Sequence, residues 1–124
     1  MSAQTQTRFD YDLLKRSFES WDLEQLLALY ADDVEQIEMD DVTPPAAPRV
    51  RHKDELRNIF ENGCRAGVKI SVDNPVLGED RLACTFTCTF DDGRRVIANS
   101  IIDLRDGQIV RQFDVQAHDL AASS

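Results

Sequence analysis

The sequence predicts an α+β fold: three N-terminal helices packed on a strongly curved mixed or antiparallel sheet. Three observations carry this. Apolar residues in the first half recur at helical spacing in short segments opened by capping residues. The second half is a run of alternating segments joined by Asp-Gly turns, the pattern of an antiparallel meander. Each helix has a single apolar face to bury, and a bent sheet wrapped by the helices buries all of them at once.

The first helix begins at Asp10, an N-cap type, and carries Leu13, Leu14, Phe18 and Trp21 on one face. Asp22 reads as a second cap with Gln25 as its capping-box partner, opening LEQLLALYADD with Leu23, Leu26, Leu27 and Tyr30 as the apolar face. Residues 34–41 alternate weakly and read as a short strand, with Val34, Gln36, Glu38 and Asp40 on one side. Thr43-Pro44-Pro45-Ala46-Ala47-Pro48 is a loop, because its prolines fix φ and remove donors. It is placed to gate a pocket or to serve as a plain connector. Residues 50–51 form a short strand. KDELRNIFENG is then a third helix that buries Leu56, Ile59 and Phe60 and ends at Gly63 in a left-handed cap.

Four strands follow. Val68, Ile70 and Val72 alternate up to Asn74-Pro75. Leu82, Cys84, Phe86, Cys88 and Phe90 alternate with small polar residues, and Asp91-Asp92-Gly93 makes a turn. Residues 95–105 place Val96, Ala98, Ser100, Ile102 and Leu104 against Ile97, Asn99, Ile101 and Asp103. Asp106-Gly107 turns into the last strand. Ile109, Arg111, Phe113, Val115 and Ala117 share one face of it, and Val110, Gln112, Asp114, Gln116 and His118 the other. The polar stripe, with Asp114 at its centre, is expected to face the pocket.

At 124 residues the chain is one domain, residues 1–124, with residues 1–8 expected to fray. Acidic residues outnumber basic ones 23 to 14, a formal charge of −9, which repels phosphate backbone and argues against nucleic acid. No apolar run approaches a membrane span and the N-terminus lacks the regions of a signal peptide, so a cytoplasmic protein without a membrane partner is expected. Cys64, Cys84 and Cys88 have no metal-type spacing and read as reduced core residues; no metal site is expected. Strand 95–105 is apolar on both faces, which predicts a homodimer packed through the outer face of the sheet. Asn99 and Asp103 fall on that side. His52 reads as a cap or surface residue.

LALYADDVEQIEMDD, the Pro-containing loop, VRHKDELRNIF and IIDLRDGQIVRQFDVQ together resemble the SnoaL-like branch of the nuclear-transport-factor-2-like superfamily, over about residues 9–118. This is the cystatin-like α+β cone that also holds ketosteroid isomerases, scytalone dehydratases and limonene epoxide hydrolases. The resemblance implies a mainly apolar cavity between helices and sheet, with a carboxylate or His inside it for proton chemistry. Tyr30 matches the isomerase's helix-end tyrosine, and Glu38 falls where that enzyme keeps its catalytic aspartate. Its two oxyanion donors are replaced by Leu14 and Ser100, which removes the largest stabilising contribution to dienolate formation. In RQFDVQ, Asp114 sits at the acid/base position of SnoaL-like cyclases, whose His-Trp-Asp is here Gln112-Phe113-Asp114.

Asp114 is therefore the expected acid/base, with Glu38 assisting. Desolvation raises a buried carboxyl toward the range useful to a general base. Tyr30, Gln36, Ser100, Gln112 and Gln116 are expected to supply polar contacts to a ligand, and Trp21, Phe60 and Phe86 its apolar wall. Two functions follow: a cofactor-free cyclase, isomerase or lyase acting on a small hydrophobic carbonyl compound, or a non-catalytic ligand-binding or association domain. The Asp-Arg-Asp set of an epoxide hydrolase cannot be assembled facing the same cavity from sequence alone.

Overall fold

A computed structural model describes residues 8–119. Of the segment expected to fray, residues 1–7 lie outside the described residues. The elements run α1 (Tyr11–Ser20), α2 (Leu23–Ala28), β1 (Tyr30–Met39), β2 (Arg49–Arg51), α3 (Lys53–Arg65), β3 (Lys69–Leu77), β4 (Arg81–Thr89), β5 (Arg95–Arg105) and β6 (Gln108–Asp119). The six strands form one curved sheet ordered β2-β1-β6-β5-β4-β3. All neighbours are antiparallel except β1 and β6, which are parallel. This is the expected α+β architecture.

Local chemistry explains the helices. Asp10 Oδ1 accepts from Leu13 N–H at 3.0 Å and starts α1. Trp21, at φ 54°, ends it in the left-handed region, and Asp22 N–H then donates to Ser17 O at 2.9 Å. Asp22 caps α2 by accepting from Gln25 N–H at 3.2 Å. The expected capping box is not reciprocal, because the end of α1 has already used the Asp22 N–H. Leu14, Phe18, Leu26, Leu56 and Phe60 bury the helical stripes against the inner face of the sheet, on Val72, Leu82, Phe86 and Ile102.

Five features differ from the sequence reading. Helix α2 stops at Ala28, and Tyr30 opens β1, because Tyr30 pairs with Ile109 in the parallel ladder. Helix α3 runs through Gly63 to Arg65; the left-handed residue is Gly67, at φ 71°. Gly63 instead lies under the Trp21 ring, where an added Cβ would meet Trp21 Cη2 at 2.8 Å. Ile59 is 38% exposed, so the buried stripe of α3 is Leu56 and Phe60. Strand β3 passes through Asn74-Pro75 to Leu77, absorbing them as a register shift with Asn74 at φ 57°.

The fifth difference matters for the site. Between β5 and β6 the register shifts, with Asp103 opposite Arg111 but Leu104 opposite Ile109. Val110 is the extra residue of a bulge, so the two faces of β6 swap across it. Ile109 is fully buried on the inner side, not grouped with Phe113 and Val115. Beyond the bulge, Gln112 and Asp114 point inward as expected, 6% and 5% exposed.

Candidate functional site

The parallel register sets Gln36 opposite Gln112 and Glu38 opposite Asp114. All four are buried. β2 lies on the other side of β1, placing Arg51 opposite Gln36 and Arg49 opposite Glu38. Three strands thus bring two carboxylates, two guanidinium groups and the amides between them into one cluster.

Asp114 accepts from Gln36 Nε2 at 2.7 Å, from Gln112 Nε2 at 3.1 Å to each oxygen, and from the Ser100 hydroxyl. Neither amide is free to reverse. Gln36 Oε1 accepts from Arg51 Nη1 at 3.1 Å, and Gln112 Oε1 accepts from the Tyr30 hydroxyl at 2.8 Å. Every donor around Asp114 is therefore aimed at an ionised carboxylate. Burial pushes the Asp114 carboxyl above its ordinary value; the bonds from Ser100, Gln36 and Gln112 oppose this, and the Glu38 charge adds to it. Burial also holds the Tyr30 phenol well above its usual range, in its neutral donor form.

Glu38 is held differently. Arg49 Nη1 lies 2.6 Å from Oε2 and Arg51 Nη1 2.9 Å from Oε1, and Gln116 and Gln36 amides donate to Oε1 at 3.0 and 3.2 Å. With both acids ionised, two carboxylates balance two guanidinium groups. Glu38 is the anchor of the arginines, and among the described residues Asp114 has no cation bonded directly to it.

A cavity of about 440 Å³ opens beside this cluster. One wall is polar, formed by Gln36, Glu38, Arg51, Gln112, Asp114 and Gln116. The opposite wall is aromatic: Phe18 meets Phe60 and Phe86 edge-on with centroids 5.4 and 5.1 Å away, and Trp21 and Phe90 line it too. The Trp21 indole N–H is satisfied by Val68 O at 2.7 Å. Tyr30 also lines the cavity. Ser100 is not among the lining residues; its hydroxyl supports Asp114 where direct ligand contact was expected. The Pro loop contributes nothing to the lining either. It is folded on Asp40, whose Oδ1 accepts from Val42 N–H, Thr43 N–H and the Thr43 hydroxyl at 2.7–2.8 Å.

The sequence reading missed Arg49, Arg51 and Cys88. The available signal for the arginines was the Arg-Val-Arg spacing, which gives a strand two cations on one face, across a short connection from Glu38. Cys88 lines the cavity with its thiol pushed up to about 11 by burial, so it sits there as a protonated, weakly polar group. All three cysteines are free. Among the described residues, the ligand-type atoms of Asp40, Asp41 and His118 lie within 4.8 Å of one another, away from the cavity lining. No described helix is long and apolar enough to cross a membrane.

The model of the SnoaL-like domain family matches residues 13–112. The chain belongs to that family. The SnoaL-like chain shares its NTF2-like fold with solved structures. A proposed ketosteroid isomerase from Kribbella flavida superposes with a TM-score of 0.67 at 15% identity, covering 86% of this chain and 74% of that one. IdmH from Streptomyces antibioticus, a proposed polyketide cyclase, gives 0.66 at 21% identity, covering 86% and 88%. An LEH-like epoxide hydrolase of M. tuberculosis gives 0.63 at 10% identity, covering 86% and 79%. At these identities the likeness concerns the fold. No curated protein matches the chain.

Proposed function

We propose that this SnoaL-like protein binds a small hydrophobic carbonyl compound and moves a proton on it without a cofactor, as an isomerase, cyclase or lyase, with Asp114 as the acid/base. One observation carries the reading: a buried carboxylate with a raised pKa, held in its ionised form by oriented donors, on the polar wall of a cavity lined elsewhere mainly by aromatic and aliphatic side chains. Such a group gains more by taking a proton than one in water does. The cavity has the size of small-molecule sites, roughly 300–1,000 Å³. Glu38 assists by fixing the arginines and, through Gln36, the base. Similarity to proposed cyclases and isomerases supports the same class.

The outer face supports the proposed homodimer. Ile97, Ile101 and Val115 are 41%, 51% and 52% exposed on the side of the sheet away from the helices. A second copy placed there would remove this apolar patch from water.

Binding without catalysis is favoured by a different observation. Both oxygens of Asp114 already hold two donors each, so a donor has to give way as a proton arrives. Exchange of the α-protons of 2-tetralone in D₂O, followed by NMR, separates the two readings. The catalytic reading expects exchange faster than in buffer, reduced about 100- to 10,000-fold by Asp114→Asn. Saturable binding of the ketone with no acceleration would leave the binding domain alone.

A further inference from the structure

Proton abstraction next to a carbonyl leaves negative charge on oxygen, and the positions that would supply an isomerase-type oxyanion hole are occupied here by Leu14 and Ser100. Leu14 is fully buried, and the Ser100 hydroxyl is committed to Asp114. The cluster nevertheless contains a donor. Arg51 lines the cavity with its side chain 18% exposed, and its bonds to Glu38 and Gln36 both leave from Nη1. Among the described residues, its Nε and Nη2 hydrogens take no partner. A guanidinium has five N–H donors, so three remain to be offered. Asp114 and Arg51 hold the two ends of one carboxamide, that of Gln36, so base and cation adjoin on the same wall.

We infer that Arg51 is the oxyanion-stabilising residue of this site, and that its substrates are enolisable ketones or esters whose carbonyl oxygen takes the free edge of the guanidinium. The inference rests on the proton-transfer reading above. Asp114 takes the proton from the carbon next to the carbonyl; the C–H electron pair becomes the C=C bond of an enolate, and the carbonyl π pair moves to the oxygen facing Arg51. The cluster changes in step. It is neutral before transfer, and with Asp114 protonated it carries one excess positive charge, from Arg49 and Arg51 against Glu38. That charge appears when the enolate does. The cycle closes when Asp114 returns its proton, either to another carbon of the enolate or to the alkoxide formed when the enolate carbon attacks a second carbonyl.

The test uses Asp114→Asn, whose neutral side chain stands for the base after transfer, with 4-nitrophenol as an oxyanion probe and nitrobenzene as its uncharged counterpart. The expected result is that bound 4-nitrophenol ionises at lower pH than free 4-nitrophenol, read from its phenolate absorbance. Adding Arg51→Met should abolish that shift and weaken phenolate binding ten-fold or more while leaving nitrobenzene affinity unchanged; Arg51→Lys should keep part of it. Glu38 retains Arg49 in both variants, and wild-type circular dichroism serves as the folding control. Should Arg51→Met not fold, the Arg51→Lys shift and the shift in Asp114→Asn alone decide. Equal affinity for both probes, or a shift that survives loss of Arg51, overturns the assignment to Arg51 alone. Failure of nitrobenzene to bind even the wild type overturns the ligand site itself.

Discussion

Glu38 and Asp114 stand opposite one another across the parallel ladder of β1 and β6, and a single nitrogen, Gln36 Nε2, donates to both, at 3.2 and 2.7 Å. The two acids are chemically distinct because of what else they touch. Glu38 is paired with two arginines, whereas among the described residues Asp114 receives only neutral donors. Of the two, Asp114 is the one whose protonation breaks no ion pair among the described residues.

Tyr30 fixes the direction of the Gln112 amide, so its hydroxyl has an energetic signature. Tyr30→Phe leaves Gln112 Oε1 buried without a donor, a loss of about 1–3 kcal/mol. Urea unfolding should show that loss, and ketone exchange should slow as Gln112 becomes free to turn its oxygen toward Asp114. Unchanged stability would mean that the amide finds another donor.

Gly63→Ala sets two effects against each other. Helix propensity favours Ala by about 1 kcal/mol. The new Cβ, however, falls 2.8 Å from Trp21 Cη2, and the indole is tied to Val68 O. Overpacking of this kind costs about 1–3 kcal/mol, so the variant should be less stable, with shifted fluorescence from the single tryptophan. A more stable variant with unaltered emission would contradict the packing.

Much of this was legible in the sequence. Asp10 and Asp22 capped their helices because a carboxylate next to a helical apolar pattern has few other uses. Alternation put Gln112 and Asp114 on one face, and the family resemblance supplied the expectation that this face looks into a cavity. The bulge at Val110 was invisible, because Ile109 and Val110 are both apolar and either could serve the inner face. Gly63 misled the reading for a similar reason: its role is contact with Trp21, 42 positions away, and glycine at a helix end looks the same. Arg51 was missed because a parallel pairing between residues some 78 positions apart decides which side chains share the cavity with Asp114. Local pattern carries no information about that register.

Asp40 holds the Pro loop and is in turn held as an anion: bonds from the Thr43 hydroxyl and the Val42 amide bring its carboxyl down from 3.8 to about 2. A lowered folded-state pKa gives stability that is present above 3.8 and lost as pH falls toward 2. Asp40→Ala should lose stability at neutral pH and flatten that acid limb, as read by thermal unfolding across pH. An acid limb of undiminished steepness in the variant would assign it to other carboxylates.

Ile101→Glu tests the outer face. Ile101 pairs with Phe113 in β5–β6 and is 51% exposed. An unpaired charge buried at an interface costs about 3–5 kcal/mol, enough to separate a dimer of this kind. Sedimentation should show a dimeric wild type and a monomeric, folded variant. A wild type that is monomeric at high concentration would remove the interface.

The most direct measurement is a ¹³C titration of the Asp114 carboxyl. The account predicts ionisation above the ordinary 3.8, with a further change when 2-tetralone fills the cavity. Because the folded-state pKa is raised, stability contributed by the protonated form is present below 3.8 and lost as pH rises through the observed value, a trend that Asp114→Asn should abolish. An Asp114 that titrates at or below 3.8 and does not respond to the ketone would contradict the claim that this carboxylate is the working group of the site.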